Sequence, residues 1–183
     1  MAHPRALCYG GRVVRPEAAV ALERQFRELE PVLFRFALRA THDREAARDL
    51  TQDTLLAALA DAATFEGRSG LRTWLVGILS HKIIDHFRRG KVRVADGSDA
   101  ADLLATPSAS DVERVVAARR ELAAVDRALS RLPEHERLAL LLVDVEELER
   151  AQVCRVLAVT PTHLRVLLHR GRHRLRRVLE DGV

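Results

Sequence analysis

The chain has 183 residues, 48% of them hydrophobic and 31% charged, with a formal net charge of +4. That length fits one domain or two small ones, and the composition is neither that of a disordered chain nor that of a membrane protein. No apolar run approaches the ~20 residues of a membrane span, the opening MAHPRALCYGG lacks a signal-peptide core, and Cys8 and Cys154 make no CxxC pair, so a cytoplasmic protein with neither a zinc site nor a disulfide framework is expected.

Few glycines and prolines, no sustained alternation, and abundant Ala, Leu, Arg and Glu predict an all-α fold. Residues 1–16 read as a loose extension. A first helical stretch runs from about Pro16 to Ala40, with Leu22, Phe26, Leu29, Leu33, Phe36 and Ala37 at helical spacing. Pro31 must kink it or begin a new helix there, because proline lacks the amide hydrogen and crowds the preceding turn. Asp43 can cap a second helix that reaches about Thr64. FEGRSG is a glycine-bounded loop, and a third helix, with room for one break, runs from about Leu71 to Arg89.

Composition changes abruptly between Ala95 and Glu113. This stretch holds five acids and no Lys or Arg, with Gly, Ser and Pro scattered through it. It reads as a flexible acidic linker whose length can span up to ~65 Å when extended. Four helices follow, at about Arg114–Arg131, Glu134–Val145, Leu148–Leu157 and Pro161–Leu179. Two small helical modules are therefore expected, each short enough for partner contacts to help hold it together.

Charge is concentrated in the last of these helices. Residues 150–179 contain eight arginines and no acid, while the rest of the chain carries 22 basic and 26 acidic side chains. A local positive field of this kind favours a polyanion, since phosphate contacts release condensed counterions. Around it, Val153, Val156 and Leu157 give one helix an apolar face. AVT makes a turn, Thr160 supplies a cap and Pro161 a first position. Leu164, Leu167 or Leu168, Gly171, Leu175 and Val178 then give the next helix its own apolar face. This is the layout of a helix-turn-helix, whose second helix lies in the DNA major groove. Thr162, His163, Arg165, Val166 and His169 sit early, where base edges are reached. Arg170, Arg172, Arg174, Arg176 and Arg177 fall where phosphates or a partner protein are met, although the last two also suit a simple cationic helix end. His169 and His173 are four apart but have no third ligand nearby, so no metal is expected.

In the first module, Asp49, Gln52 and Asp53 share one helix face, with Leu55, Leu56 and Leu59 available for packing. Taken alone, that face suits an ordinary solvated edge. Residues 66–93 hold seven basic side chains against two acids, and Phe65 and Trp74 flank them. Aromatic groups beside positive charge can stack on unpaired bases, but both can equally serve the core.

Together FALRATHDREAARDLTQDTLLAAL, FEGRSGLRTWLVGILSHKIIDHFRRG and the stretch from LSRLPEHERL to LRRVLE resemble bacterial RNA polymerase sigma factors of the extracytoplasmic-function (ECF) group. The resemblance divides the chain into an extension (residues 1–22), sigma region 2 (23–93), a linker (94–115) and region 4 (116–183). It implies a specificity subunit with no catalytic site or cofactor of its own, partnered by core RNA polymerase and promoter DNA, and it raises an anti-sigma factor as a further partner. Asp49, Gln52 and Asp53 would grip the polymerase. Phe65, Arg68, Arg72, Trp74, His81, Lys82, Arg88 and Arg89 would melt the −10 element and capture an extruded base. Thr162, His163, Arg165, Val166, His169, Arg170, Arg172 and Arg174 would read the −35 element. Ser80 and His81 stand where many members carry Arg-Asn, Gln152-Val153-Cys154 replaces the commoner Glu-Ile-Ala, and His163 and Arg165 stand where close relatives often carry Asn and Trp. Base preferences therefore do not carry over. The competing readings are a free-standing helix-turn-helix regulator that binds duplex DNA as a dimer, and a histidine-dependent hydrolase with a pocket joining both modules.

Overall fold

A computed structural model describes residues 8–9, 12–13, 16–61, 65, 70–90 and 112–181, with side chains beginning at Arg24 in the first helix and at Glu121 in the fourth. The predicted linker lies outside the described residues. Among the described residues, seven α-helices carry the architecture: α1 (Pro16–Thr41), α2 (Arg44–Ala60), α3 (Leu71–Gly90), α4 (Val112–Ser130), α5 (Glu134–Leu140), α6 (Arg150–Leu157) and α7 (Pro161–Asp181). Ahead of them, β1 (Cys8–Tyr9) and β2 (Arg12–Val13) form a two-residue antiparallel ladder in which Cys8 faces Val13 and Tyr9 faces Arg12.

Helix α1 runs through Pro31 and does not restart there. Apolar burial on both sides of the proline, at Phe26 and at Leu33, Phe36 and Ala37, offsets the hydrogen bond it removes. The chain then reverses at His42, in the left-handed region with φ 55°, and its amide donates to the Leu38 carbonyl at 2.8 Å. Asp43 caps α2 as expected, one carboxylate oxygen accepting from the amides of Glu45 (2.9 Å) and Ala46 (3.0 Å). That helix ends at Ala60, short of Thr64, and α3 is unbroken. Thr51, Thr54 and Ser80 are buried in these helices. Each donates its hydroxyl to the carbonyl four residues back at 2.7 Å, so their burial leaves no orphaned donor.

The second module departs from regular helix once. After α5 the backbone widens into a π-helical turn, Leu141–Val145, and Glu147 follows at φ 52°. Leu141 and Leu142 remain fully buried. The turn therefore inserts its extra residue while keeping the apolar side inward, and it places Asp144, and Glu146 directly after it, to meet other helices. Ala158, at φ 52°, ends α6 in the left-handed conformation and gives the tight turn into α7. Leu33, Leu38, Leu75, Leu79 and Ile83 of the first module and Leu138, Leu141, Leu142, Val153 and Leu164 of the second belong to one continuous buried cluster. The two modules thus share a core and do not stand apart.

Candidate nucleic-acid interface

Helix α7 is built as the sequence implies. Thr160 accepts the His163 amide at 3.2 Å and so starts the helix. Leu164, Leu167, Leu168 and Gly171 are buried, which fixes one face on α5 and leaves Thr162, His163, Arg165, Val166, His169 and Arg170 exposed. A Cβ placed on Gly171 would meet Leu140 Cδ1 at 3.1 Å and Cγ at 3.2 Å. Glycine is what lets the reading helix lie this close to α5. Between α6 and α7 runs a groove of about 610 Å³ with Leu164 and Leu168 in its floor and Arg150, Arg165, Arg172 and Arg176 along it. Apolar floor and cationic rim together suit contact with phosphate-bearing ligands.

On α7, two of the arginines expected on DNA have protein partners. Arg172 makes a bidentate pair with Asp144, at 2.6 and 3.0 Å. That hydrogen bond is the largest influence on its guanidinium and raises its pKa. Arg174 lies 3.5 Å from Glu136, a carboxylate that is only 7% exposed. Both acceptors sit on α5 and the π turn, so this stretch of α7 is pinned by charge as well as by leucines. Arg165 and His169 reach solvent from the same helix.

In the first module, Asp49, Gln52 and Asp53 are exposed on α2. Leu56, which the sequence placed among packing residues, is 65% exposed. It stands seven residues after Asp49, on the same helical face. Its apolar side chain completes a patch that sequence reasoning missed. The spacing 49, 52, 53, 56 was the available signal.

Phe65 and Trp74 contact each other, ring centroids 5.1 Å apart and planes tilted by 40°, and both are half-buried. His81 is exposed on α3, Lys82 is half-buried, and Arg88 and Arg89 are exposed at its end. Arg88 faces Asp85 at 3.7 Å. Ser80 is buried with its hydroxyl committed to the Val76 carbonyl, so it is placed to support α3 and not to touch a base. Arg72 pairs at 2.7 Å with Glu146, which caps the π turn. Arg68 lies outside the described residues.

Where α1 and α3 meet α5, Arg137 is buried beside Phe87, 5.9 Å from its ring centroid. It donates to the Ser130 carbonyl at 3.4 Å. Burial pulls its pKa down to about 10, although the Glu134 charge works in the opposite direction. Close by, His42 is held down to about 4, first by burial and then by the Arg137 charge.

Comparison with known proteins gives one consistent result. Residues 25–93 match Sigma-70 region 2, and residues 122–175 match Sigma-70 region 4. The chain is 30% identical over 157 residues to the probable RNA polymerase sigma-C factor of Mycobacterium bovis, covering 85% of this chain and 81% of that protein. It is 28% identical to RNA polymerase sigma factor YlaC of Bacillus subtilis over 158 residues, covering 86% and 91% of the two chains. Among solved structures, sigma factor RpoE bound to the anti-sigma factor NepR from Bartonella quintana superposes with a TM-score of 0.69 at 24% identity, covering 87% of this chain and 97% of that one. CnrH in complex with the cytosolic domain of CnrY superposes at 0.60 with 23% identity, covering 91% and 95%. These two similarities concern the fold. No described helix is long and apolar enough to cross a membrane.

Proposed function

Because the chain belongs to the sigma-70 family, in its ECF group, we propose that it is a dissociable specificity subunit that binds core RNA polymerase and directs initiation at particular promoters. The observation that carries this is the presence of both modules in one chain and in order, region 2 over residues 25–93 and region 4 over 122–175. A free-standing regulator would have no use for the first. Phosphoryl transfer belongs to the polymerase, and this chain supplies positioning and recognition.

The division of labour follows from the side chains. Helix α7 enters the −35 major groove with Leu164, Leu167 and Leu168 holding it to the scaffold, while Arg165 and His169 reach base edges and Arg170 and Arg176 hold phosphates. Arg172 and Arg174, paired with Asp144 and Glu136, set the pose of the helix and contribute less to the DNA. In region 2, the Phe65–Trp74 pair with Lys82, Arg88 and Arg89 receives a base extruded from the −10 element. Extrusion costs a few kcal/mol, and stacking on an aromatic ring returns about 1–3 kcal/mol per base. Asp49, Gln52, Asp53 and Leu56 form the polymerase face, in which an exposed leucine ringed by polar groups provides an anchor. An anti-sigma factor, of the kind RpoE of Bartonella quintana is bound to in its complex with NepR, is a further partner in this reading.

The test is retention of the full chain by bacterial core RNA polymerase, native against Asp49→Ala/Gln52→Ala/Asp53→Ala. Strong retention of the native chain and its loss in the triple variant is expected. Failure of both to bind, with tight binding to duplex DNA alone, would overturn the reading.

A further inference from the structure

Helix α7 has a core side and a reading side. Leu164, Leu167 and Leu168 are 1%, 8% and 4% exposed, and Gly171 is buried with them. At about 100° per residue, Val166 lies about 150° round the helix from the middle of that buried strip. It therefore points away from the scaffold, near the centre of the outward side. Among the described residues it is the one large aliphatic side chain of α7 left exposed, at 38%. Its surface neighbours, three and four residues before and after it, are Thr162, His163, His169 and Arg170. All four are polar and exposed, so none of them covers its methyl groups with apolar surface.

A single exposed valine on an ordinary protein surface carries no meaning. On a helix laid in the major groove, its position gives it one. Every base pair there offers nitrogen and oxygen donors and acceptors, and only one base offers an apolar group, the C5 methyl of thymine. Pressed on a guanine, adenine or cytosine edge, the valine would strip water from polar atoms and return no hydrogen bond. Against a thymine methyl it buries apolar surface on both partners. The contact also needs little ordering. A β-branched side chain in a helix holds one χ1 rotamer, and α7 is anchored by its leucines and by Thr160, which accepts the His163 amide at 3.2 Å. We infer that Val166 is a specificity-determining residue that reads a thymine of the −35 element through its C5 methyl, with Thr162, His169 and Arg170 around it meeting polar atoms of the same or adjoining pairs. The inference rests on the sigma reading and gives it a base preference.

The test uses holoenzyme made from the full chain and bacterial core RNA polymerase. It first selects from duplexes randomised across both promoter elements. The best duplex is then remade with each −35 thymine, on either strand, replaced singly by deoxyuridine, which lacks only the methyl. One such exchange should weaken retention by the native holoenzyme about fourfold, the equivalent of about 0.8 kcal/mol for one buried methyl-sized group. With Val166→Ser the same exchange should leave retention unchanged, and a fresh selection should lose the thymine at that pair. Val166→Ile, which keeps the apolar contact, should retain the sensitivity. Neither substitution touches the buried strip, so far-UV circular dichroism should not change. Insensitivity to every −35 uracil, or equal sensitivity with valine and serine, overturns the inference. Selected promoters without a −35 thymine overturn it too, and leave the sigma reading standing. Failure of core polymerase to retain the chain strikes at the sigma reading instead. The same uracil exchange on duplexes selected by the free chain then judges Val166, and a free chain that selects no sequence overturns its role.

Discussion

Replacing Gly171 by alanine sets two effects of known sign against each other. In the interior of a helix, Gly→Ala ordinarily stabilises by about 1 kcal/mol, because glycine loses more backbone freedom on folding. Here the new methyl would sit 3.1 and 3.2 Å from Leu140 and 3.4 Å from Glu136 Cβ. Leu140 is itself only 3% exposed and cannot swing into solvent. Forcing a methyl into such a contact costs about 1–3 kcal/mol, so Gly171→Ala should destabilise by about 1 kcal/mol net, or about 2–4 °C in Tm for a chain of this size. Shortening the neighbour gives the diagnostic. Leu140→Val alone should cost about 1 kcal/mol, yet in the Gly171→Ala background it should cost almost nothing, a coupling of about 1 kcal/mol. Urea unfolding followed by far-UV circular dichroism measures all four corners. A Gly171→Ala chain more stable by about 1 kcal/mol, the pure helix-propensity result, with no coupling to Leu140, would refute the close approach of α7 to α5.

The remaining predictions concern pH and DNA. His42 has a folded pKa of about 4 against 6.5 in a free side chain, so the unfolded chain takes up the proton first. This group leaves stability intact above pH 6.5 and removes it as pH falls toward 4, by about 3 kcal/mol in full. His42→Asn, which tolerates the left-handed backbone, should flatten that part of the stability–pH curve in chemical denaturation. On promoter fragments, Arg165→Ala should change which −35 sequences are preferred, by about 1–3 kcal/mol at one base pair. Arg176→Ala should weaken all sequences alike and reduce the salt slope by about 1. Arg172→Ala, because Asp144 already engages that guanidinium, should change binding less than Arg176→Ala. Equal and sequence-independent losses for Arg165 and Arg176 in fluorescence anisotropy would sink the division between them.

Helix order was legible because it rests on local chemistry: apolar spacing, the Asp43 carboxylate and the Thr160 hydroxyl as caps, and Ala158-Val159-Thr160 as a turn. What escaped the sequence involves competition or distance. Pro31 reads on its own as a kink or a new start, and only the burial of Phe26, Leu33 and Phe36 around it shows why one helix continues. The π turn at Leu141–Val145 has the same apolar rhythm as a helix, so no pattern marks it. Leu56 was legible in spacing but not in exposure, since nothing local says which leucines a module can cover. The pairs Arg39–Asp126 and Arg72–Glu146 join residues 87 and 74 positions apart, and the sequence offers many alternative partners for each. The same holds for Arg172, whose basicity was evident while its engagement by Asp144 was not.

Trp74 is the one tryptophan of the chain, and it lies at the junction where α3 meets α6, 5.1 Å from the Phe65 ring. The molecule therefore carries a single indole, at the place where its two modules touch and where a nucleobase would stack. Excited selectively, that indole reports on one location without any label. Its emission should shift to the red as water reaches it and be quenched when a base stacks on it, so solvent entry at this junction and capture of DNA can be timed as separate optical events in one stopped-flow trace.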